Sequence, residues 1–345
     1  MPAYPGGVSA AVISAAPGGL VPGASGVRLH PGEGIEPLPP LEGAQWLTGW
    51  TFEPWVLLGV LVVGGLYVTG LRTLRARGDR WPVGRSVSFL LGGLGTFVVA
   101  TTSSLATYDT TLLSVHMVQH MILSMAVPIF LALGAPVTLA LRTLPRRPRR
   151  ILVSVLHSRA ATVLAFAPLG FALYVLSPWA LYFTGWYDAT LHSTLLHELM
   201  HVHLVAVGSL FFWPLLGLDP VPGRVSYPLR LLLIFLSLPF HAFLGVTIMS
   251  QSTLIGGGYY PSLPMAWLPD PYDDQRFAGA LLWGSGDLVA LLLFGVFFTQ
   301  WVRASMAEAK REDRRLDLAE RRAAAQAPVA SPGAGSGEPD GVEAR

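Results

Sequence analysis

Apolar residues gather in seven runs along the chain, at about 54–71, 86–105, 112–134, 160–177, 191–215, 229–250 and 277–302, separated by short polar stretches. At 1.5 Å per residue each run can cross a hydrocarbon layer of about 30 Å, so the pattern predicts seven transmembrane helices. The fold class that follows is all-α, a polytopic integral membrane protein built as a seven-helix bundle. No internal repeat is evident, and residues 46–303 read as one membrane domain. Residues 1–45, rich in Gly, Pro, Ala and Ser, read as a disordered tail. No basic segment precedes the modest apolar stretch AAVISAA, as a signal peptide would require. Residues 304–345 read as a basic segment followed by a second disordered tail.

Polar positions orient the bundle. Arg72, Arg75, Arg77, Arg80 and Arg85 crowd one loop, Arg142, Arg146, Arg147, Arg149, Arg150 and Arg159 a second, and Arg224 and Arg230 a third. Basic loops stay in the cytoplasm. The alternate loops hold Asp109, Asp188, Asp270, Asp273 and Asp274 with interfacial aromatics such as Trp186 and Trp267, and Arg276 as their one exception. This predicts a multi-pass membrane protein, its N-terminus extracytoplasmic and its C-terminus cytoplasmic.

Composition sharpens the class. The chain is 52% hydrophobic and 13% charged, with a mean hydropathy of +0.51, outside the soluble range. Lys310 is the one lysine among 23 basic residues, and there is no cysteine. Disulfides, thiolate metal sites and thiol redox transfer are therefore excluded. The lipid bilayer is the expected partner, and nucleic acid is not.

Of the seven histidines inside the apolar runs, five form the candidate set: His116 and His120 in SVHMVQHM, His197 and His201 in LHELMHVH, and His241 in LPFHAF. Ionisable residues at membrane depth are costly and point to function, and residues four apart share a helix face. All five, with Asp287 of the last run, fall about 6–15 Å from the outer ends of their runs. Met117 and Met121 share a face with the first pair, Met125 lies one turn further on, and Met249 lies along the face of His241. Imidazole with thioether suits copper, Cu(I) above all. Zinc accepts imidazole but more often adds a carboxylate or water, and haem held between two axial histidines, as in a membrane electron carrier, is a second possibility. A lone membrane histidine such as His241 serves as readily in helix packing, and methionine is a common gap-filler. Asp287 and Glu198 are expected to support the site by holding an imidazole tautomer or balancing charge. His192 and His203 fall on the opposite side of their helix from the His197 pair, while His30 and His157 lie outside the runs.

HELMH, residues 197–201, also matches the zinc metalloprotease pattern, in which two histidines bind zinc and the glutamate is the general base. The LDP at 218–220 is like the aspartate motif of intramembrane proteases. However, Asp219 lies at the other end of the same helix, roughly a membrane thickness from the pair. No catalytic residue is assigned, and the protein is not expected to be an enzyme. A copper channel would need soft ligands in the cytoplasmic half as well, where few occur.

The segments DRWPVGRSVSFLLG, SVHMVQHMILSMAVPIFLALGAPVTLALRTLP, LHELMHVHLVAVGSLFFWPLLGLDP and DQRFAGALLWGSGDL together resemble the CtaG-type cytochrome c oxidase assembly factors, in particular actinobacterial members, over about residues 45–302. The resemblance implies a polytopic protein that supports maturation of haem-copper terminal oxidases and is linked to the copper centre of their catalytic subunit. It puts that role on His116, His120, His197 and His201, with His241 next. An unrelated single-span copper chaperone type shares the family's name but uses cysteine, which this chain lacks.

Overall fold

The computed structural model describes residues 37–223 and 225–326. Most of the predicted N-terminal tail and the final tail lie outside the described residues. Within them the protein is all-helical. We number seven principal helices: α1 Pro54–Ala76, α2 Val83–Tyr108, α3 Leu113–Thr143, α4 Ala167–Phe183, α5 Thr194–Leu216, α6 Tyr227–Ser250 and α7 Pro271–Gln326. Six are long and apolar enough to cross a membrane, and the protein is a multi-pass membrane protein. α4 is the remaining candidate. The run expected at 160–177 is divided into a short helix, Arg159–Leu164, and α4 itself, which begins with Pro168 in its first turn. A proline there gives up no hydrogen bond, so it favours a new start. At 17 residues, α4 is about 25 Å long, the lower end of what spans a bilayer.

Two helices depart from regular geometry where the site is built. α2 is π-helical over Ser88–Gly95 and breaks at Ser103, whose side chain caps the last turn, Ser104–Tyr108. α3 is π-helical over Ile122–Ala126, immediately after His120 and Met121. Pro128 explains this second departure: it offers no N–H to the carbonyl of Ser124 four residues back, and its ring crowds that carbonyl. The freed carbonyl faces Gly208 of α5, where a Cβ would stand 2.0 Å from it. α3 and α5 thus meet backbone to backbone, as small residues permit inside membranes. A second close crossing pairs Gly245 of α6 with Gly279 of α7, each facing the other's carbonyl.

The main apolar core runs through α3 to α7, and a smaller one joins α1, α2 and the end of α3. In the smaller core Tyr67 stacks on Phe89 at 4.1 Å and donates to the Gly134 carbonyl at 2.9 Å. α3 then turns at Ala135, a buried residue with φ 46°. Asp219 of the LDP motif fixes the segment that follows, accepting from the backbone N–H of Val137 and Thr138, from Thr138 Oγ1 at 2.6 Å and from Trp213 Nε1 at 3.1 Å. It is a helix cap tied to α5, at the end of the bundle opposite the histidines. Asp219→Ala strands several buried donors and is expected to cost at least about 2 kcal/mol. A lowered Tm in detergent, with the histidine end of the bundle undisturbed, is the expected outcome; an unchanged Tm would contradict the capping role.

At the two edges the arginines define surface elements. Arg146–Leu156 is an amphipathic helix with Ile151, Val153 and Val155 exposed, the form of an interfacial segment. α7 continues past its apolar part as a helix exposed from Ser305 to Arg322.

Candidate functional site

The last turn of α2 delivers Asp109, the first turns of α3 deliver His116, Gln119 and His120, and the first turns of α5 deliver His197 and His201. Ser193 begins α5 by accepting from the Leu196 N–H at 3.5 Å, so His197 falls in the first full turn. All six side chains are buried, Asp109, His116 and Gln119 completely.

His197 Nε2 donates to Asp109 Oδ2 at 3.0 Å, and His201 Nε2 stands 3.7 Å from the same oxygen. His201 Nε2 also donates to Gln119 Oε1 at 3.1 Å, while Gln119 Nε2 donates to the Ala100 carbonyl, which fixes the amide's orientation. The other ring nitrogen of His201, Nδ1, lies 3.5 Å from Glu198 Oε2. Asp109, His197 and His201 each offer a ligand atom within 4.8 Å of the others. His116 completes the cluster, its ring centroid 6.4 Å from that of His197 and its buried Nδ1 without a hydrogen-bond partner among the described residues.

Tyr182 of α4 joins this cluster to His120. Its hydroxyl lies 3.0 Å from His116 Nε2 and 2.8 Å from His120 Nδ1. A phenol has one proton, so it donates to one imidazole and accepts from the other. Tyr187 packs against His116 at 4.9 Å and shares a 2.6 Å hydrogen bond with Tyr260. Burial pushes both of these hydroxyls well above the ordinary phenol range, so they wall the cluster as neutral groups.

Of the residues singled out in the sequence, His116, His120, His197 and His201 therefore meet in one network. His241 is buried beside Tyr174 at 5.2 Å, and its Nδ1 donates to the Ser237 carbonyl, which leaves Nε2 as the acceptor. Asp287 accepts from Trp283 Nε1 one turn earlier. Met117, Met121 and Met125 belong to the main apolar core, and Met249 packs on Gly279. His203 stands near Trp186, and His192 is exposed beside Asp188. Asp109, Gln119 and Tyr182 were not singled out. Gln119 carried a signal, as an amide inside an apolar run and three residues from His116. Asp109 looked like any other interfacial acid.

The donor set of two imidazoles and one carboxylate is one that copper, zinc and iron all accept. In a HExxH protease the glutamate faces the metal-bound water. Here Glu198 touches the ring nitrogen of His201 that points away from Asp109. The four rings pack at centroid distances of 4.7–6.4 Å along the network.

The chain is 39% identical over 281 residues to uncharacterized proteins of Mycobacterium bovis and Mycobacterium tuberculosis, and 36% identical over 280 residues to one of Mycobacterium leprae. Each alignment covers 79% of this chain but only 42% of the relative, so the chain spans less than half the length of these relatives. No solved structure matches. Residues 65–304, nearly the whole helical bundle with every histidine of the network, match the cytochrome c oxidase caa3 assembly factor family, and the chain belongs to that family.

Proposed function

We propose that this protein supports formation of the copper centre of a haem-copper terminal oxidase, holding a copper ion at Asp109, His197 and His201 with His116 within reach, and that it turns over no substrate. The observation that carries the reading is the buried Asp109, His197 and His201 group, in a chain whose family is named for oxidase assembly. A buried carboxylate balances part of the ion's charge, and the two imidazoles supply neutral nitrogen ligands. Binding through Nε2 moves the imidazole proton to Nδ1. For His201 that proton then faces Glu198, the outer partner that fixes a ligating tautomer. His120, reached through Tyr182, together with His241, Met117, Met121 and Met249, are the further donors of this reading. In this reading the Asp109 end faces outward across a bacterial plasma membrane and the arginine-rich loops face the cytoplasm.

The test is the metal content and visible spectrum of the wild-type protein purified in detergent. One three-ligand group implies roughly one copper per chain without a Soret band. A haem spectrum in proportion to protein, or failure to retain added copper against buffer, would refute the reading.

A further inference from the structure

An apolar groove of about 830 Å³ runs along the outside of the bundle between α1 and α5. Trp55, Gly59 and Val63 form one wall and Leu195, Leu199 and Val202 the other, over a floor from α2 and α3. α1 packs on the Pro136–Thr143 segment rather than on α5, which leaves the groove open to lipid. It extends along α5 from Thr194 to Trp213, roughly 28 Å, about the thickness of the hydrocarbon layer.

Two polar side chains of α5 interrupt that surface. Glu198 and His201 both line the groove, about 6–10 Å from the start of the helix. The Glu198 side chain is 34% exposed, and its carboxylate touches the ring whose other nitrogen belongs to the buried cluster. A carboxylate at membrane depth facing lipid is expensive, and such groups mark functional paths. At the Asp109 end residues 38–49 pack on the bundle, with the Leu38, Pro39, Trp46 and Gly49 carbonyls accepting from Trp267, Tyr108, Ser104 and Thr107.

We propose that this groove seats a transmembrane helix of the oxidase subunit that receives copper, and that Glu198 is the ligand through which the ion leaves sideways; this rests on the copper reading above. A helix is the occupant that fits an apolar channel as long as the membrane is thick, because its backbone polar groups are satisfied internally. It brings its own imidazole or other donor to the level of Glu198. The transfer is ligand exchange without redox change: bonds to His197, His201 and Asp109 break as bonds to Glu198 and then to the acceptor form. His197 and His201 meanwhile each return to the tautomer protonated at Nε2, which donates to Asp109 and to Gln119.

A photo-crosslinking residue placed at Leu199 or Val202 in intact cells, with the oxidase catalytic subunit tagged, tests the docking. Leu292, equally lipid-exposed on α7, serves as the control position. Adducts with the tagged subunit are expected from 199 and 202 and not from 292. Gly59→Trp is expected to lower them about tenfold, with Gly59→Leu as the milder filler; a Cβ at 59 meets nothing within 4 Å, and an unchanged Tm of each variant checks that the fold tolerates it. Glu198→Gln is expected to keep the adduct while lowering, about tenfold, the oxidase copper delivered per copper held by this chain. Equal adducts from 292, or adducts with lipid alone, would overturn the docking. An unchanged delivery ratio in Glu198→Gln would overturn the exit role. A metal-free protein that still crosslinks from 202 would instead remove the copper reading and leave the helix seat standing.

Discussion

Asp109→Asn is expected to weaken copper binding by more than about 100-fold, beyond the 10–100-fold that loss of a ligand's outer partner costs, and to leave the bundle folded. The asparagine keeps the side chain's size and an oxygen that still accepts the His197 Nε2–H now donated to Oδ2 at 3.0 Å. What it removes is the negative charge, in a pocket where Asp109 is wholly buried and the other two members of the metal-competent group are histidines, which supply none. A neutral amide oxygen is a poor replacement for a carboxylate toward a metal cation. Asp109→Ala makes the contrast: it also strands a buried donor, which costs about 1–3 kcal/mol. Chelator-competition titration of the two variants beside wild type separates these effects, and thermal unfolding reports the fold. Wild-type affinity in Asp109→Asn would mean that the ion, if held at all, is held elsewhere.

The histidines were legible in the sequence because a four-residue spacing inside an apolar run states both depth and face. His116 with His120 and His197 with His201 accordingly meet in one network. Six of the helical spans were legible for the same reason; the run expected at 160–177 was less so, because the start of α4 is set by Pro168 rather than by the hydrophobicity of residues 160–166. Asp109 was hidden because its position depends on the break at Ser103, which folds one more turn back over the end of α2 and carries the acid inward. No local pattern distinguishes that acid from Asp188, which stays exposed. Tyr182 was hidden because an aromatic near a helix end reads as an interfacial anchor, and only packing against α3 shows that its hydroxyl bridges two imidazoles. The role of Asp219 was readable in part: its distance from HELMH argued against a shared metal, but the Val137 and Thr138 N–H groups it caps are some 80 residues away in the chain.

Gly208→Ala is expected to damage both the fold and the site, because the added methyl group falls 2.0 Å from the Ser124 carbonyl oxygen and 2.8 Å from Pro128 Cγ. Neither neighbour is the free end of a flexible side chain, so α3 and α5 must separate. Overpacking of this kind costs about 1–3 kcal/mol and sometimes more, against a gain of about 1 kcal/mol from replacing glycine by alanine within a helix. The loss prevails, and the apparent Tm falls. The displacement also reaches the metal-competent group. His201 lies two turns before Gly208 on α5, and its Nε2 reaches Gln119 on the turns of α3 just ahead of Ser124. Opening that crossing draws His201 away from Gln119 and Asp109, and copper retention falls with it. Gly59→Ala is the control: the same change in the same kind of helix, with nothing within 4 Å of the new atom, is expected to leave Tm and copper content unchanged or to raise Tm slightly. If Gly208→Ala behaved like Gly59→Ala, the backbone contact made possible by Pro128 would not be what holds the two histidine-bearing helices together.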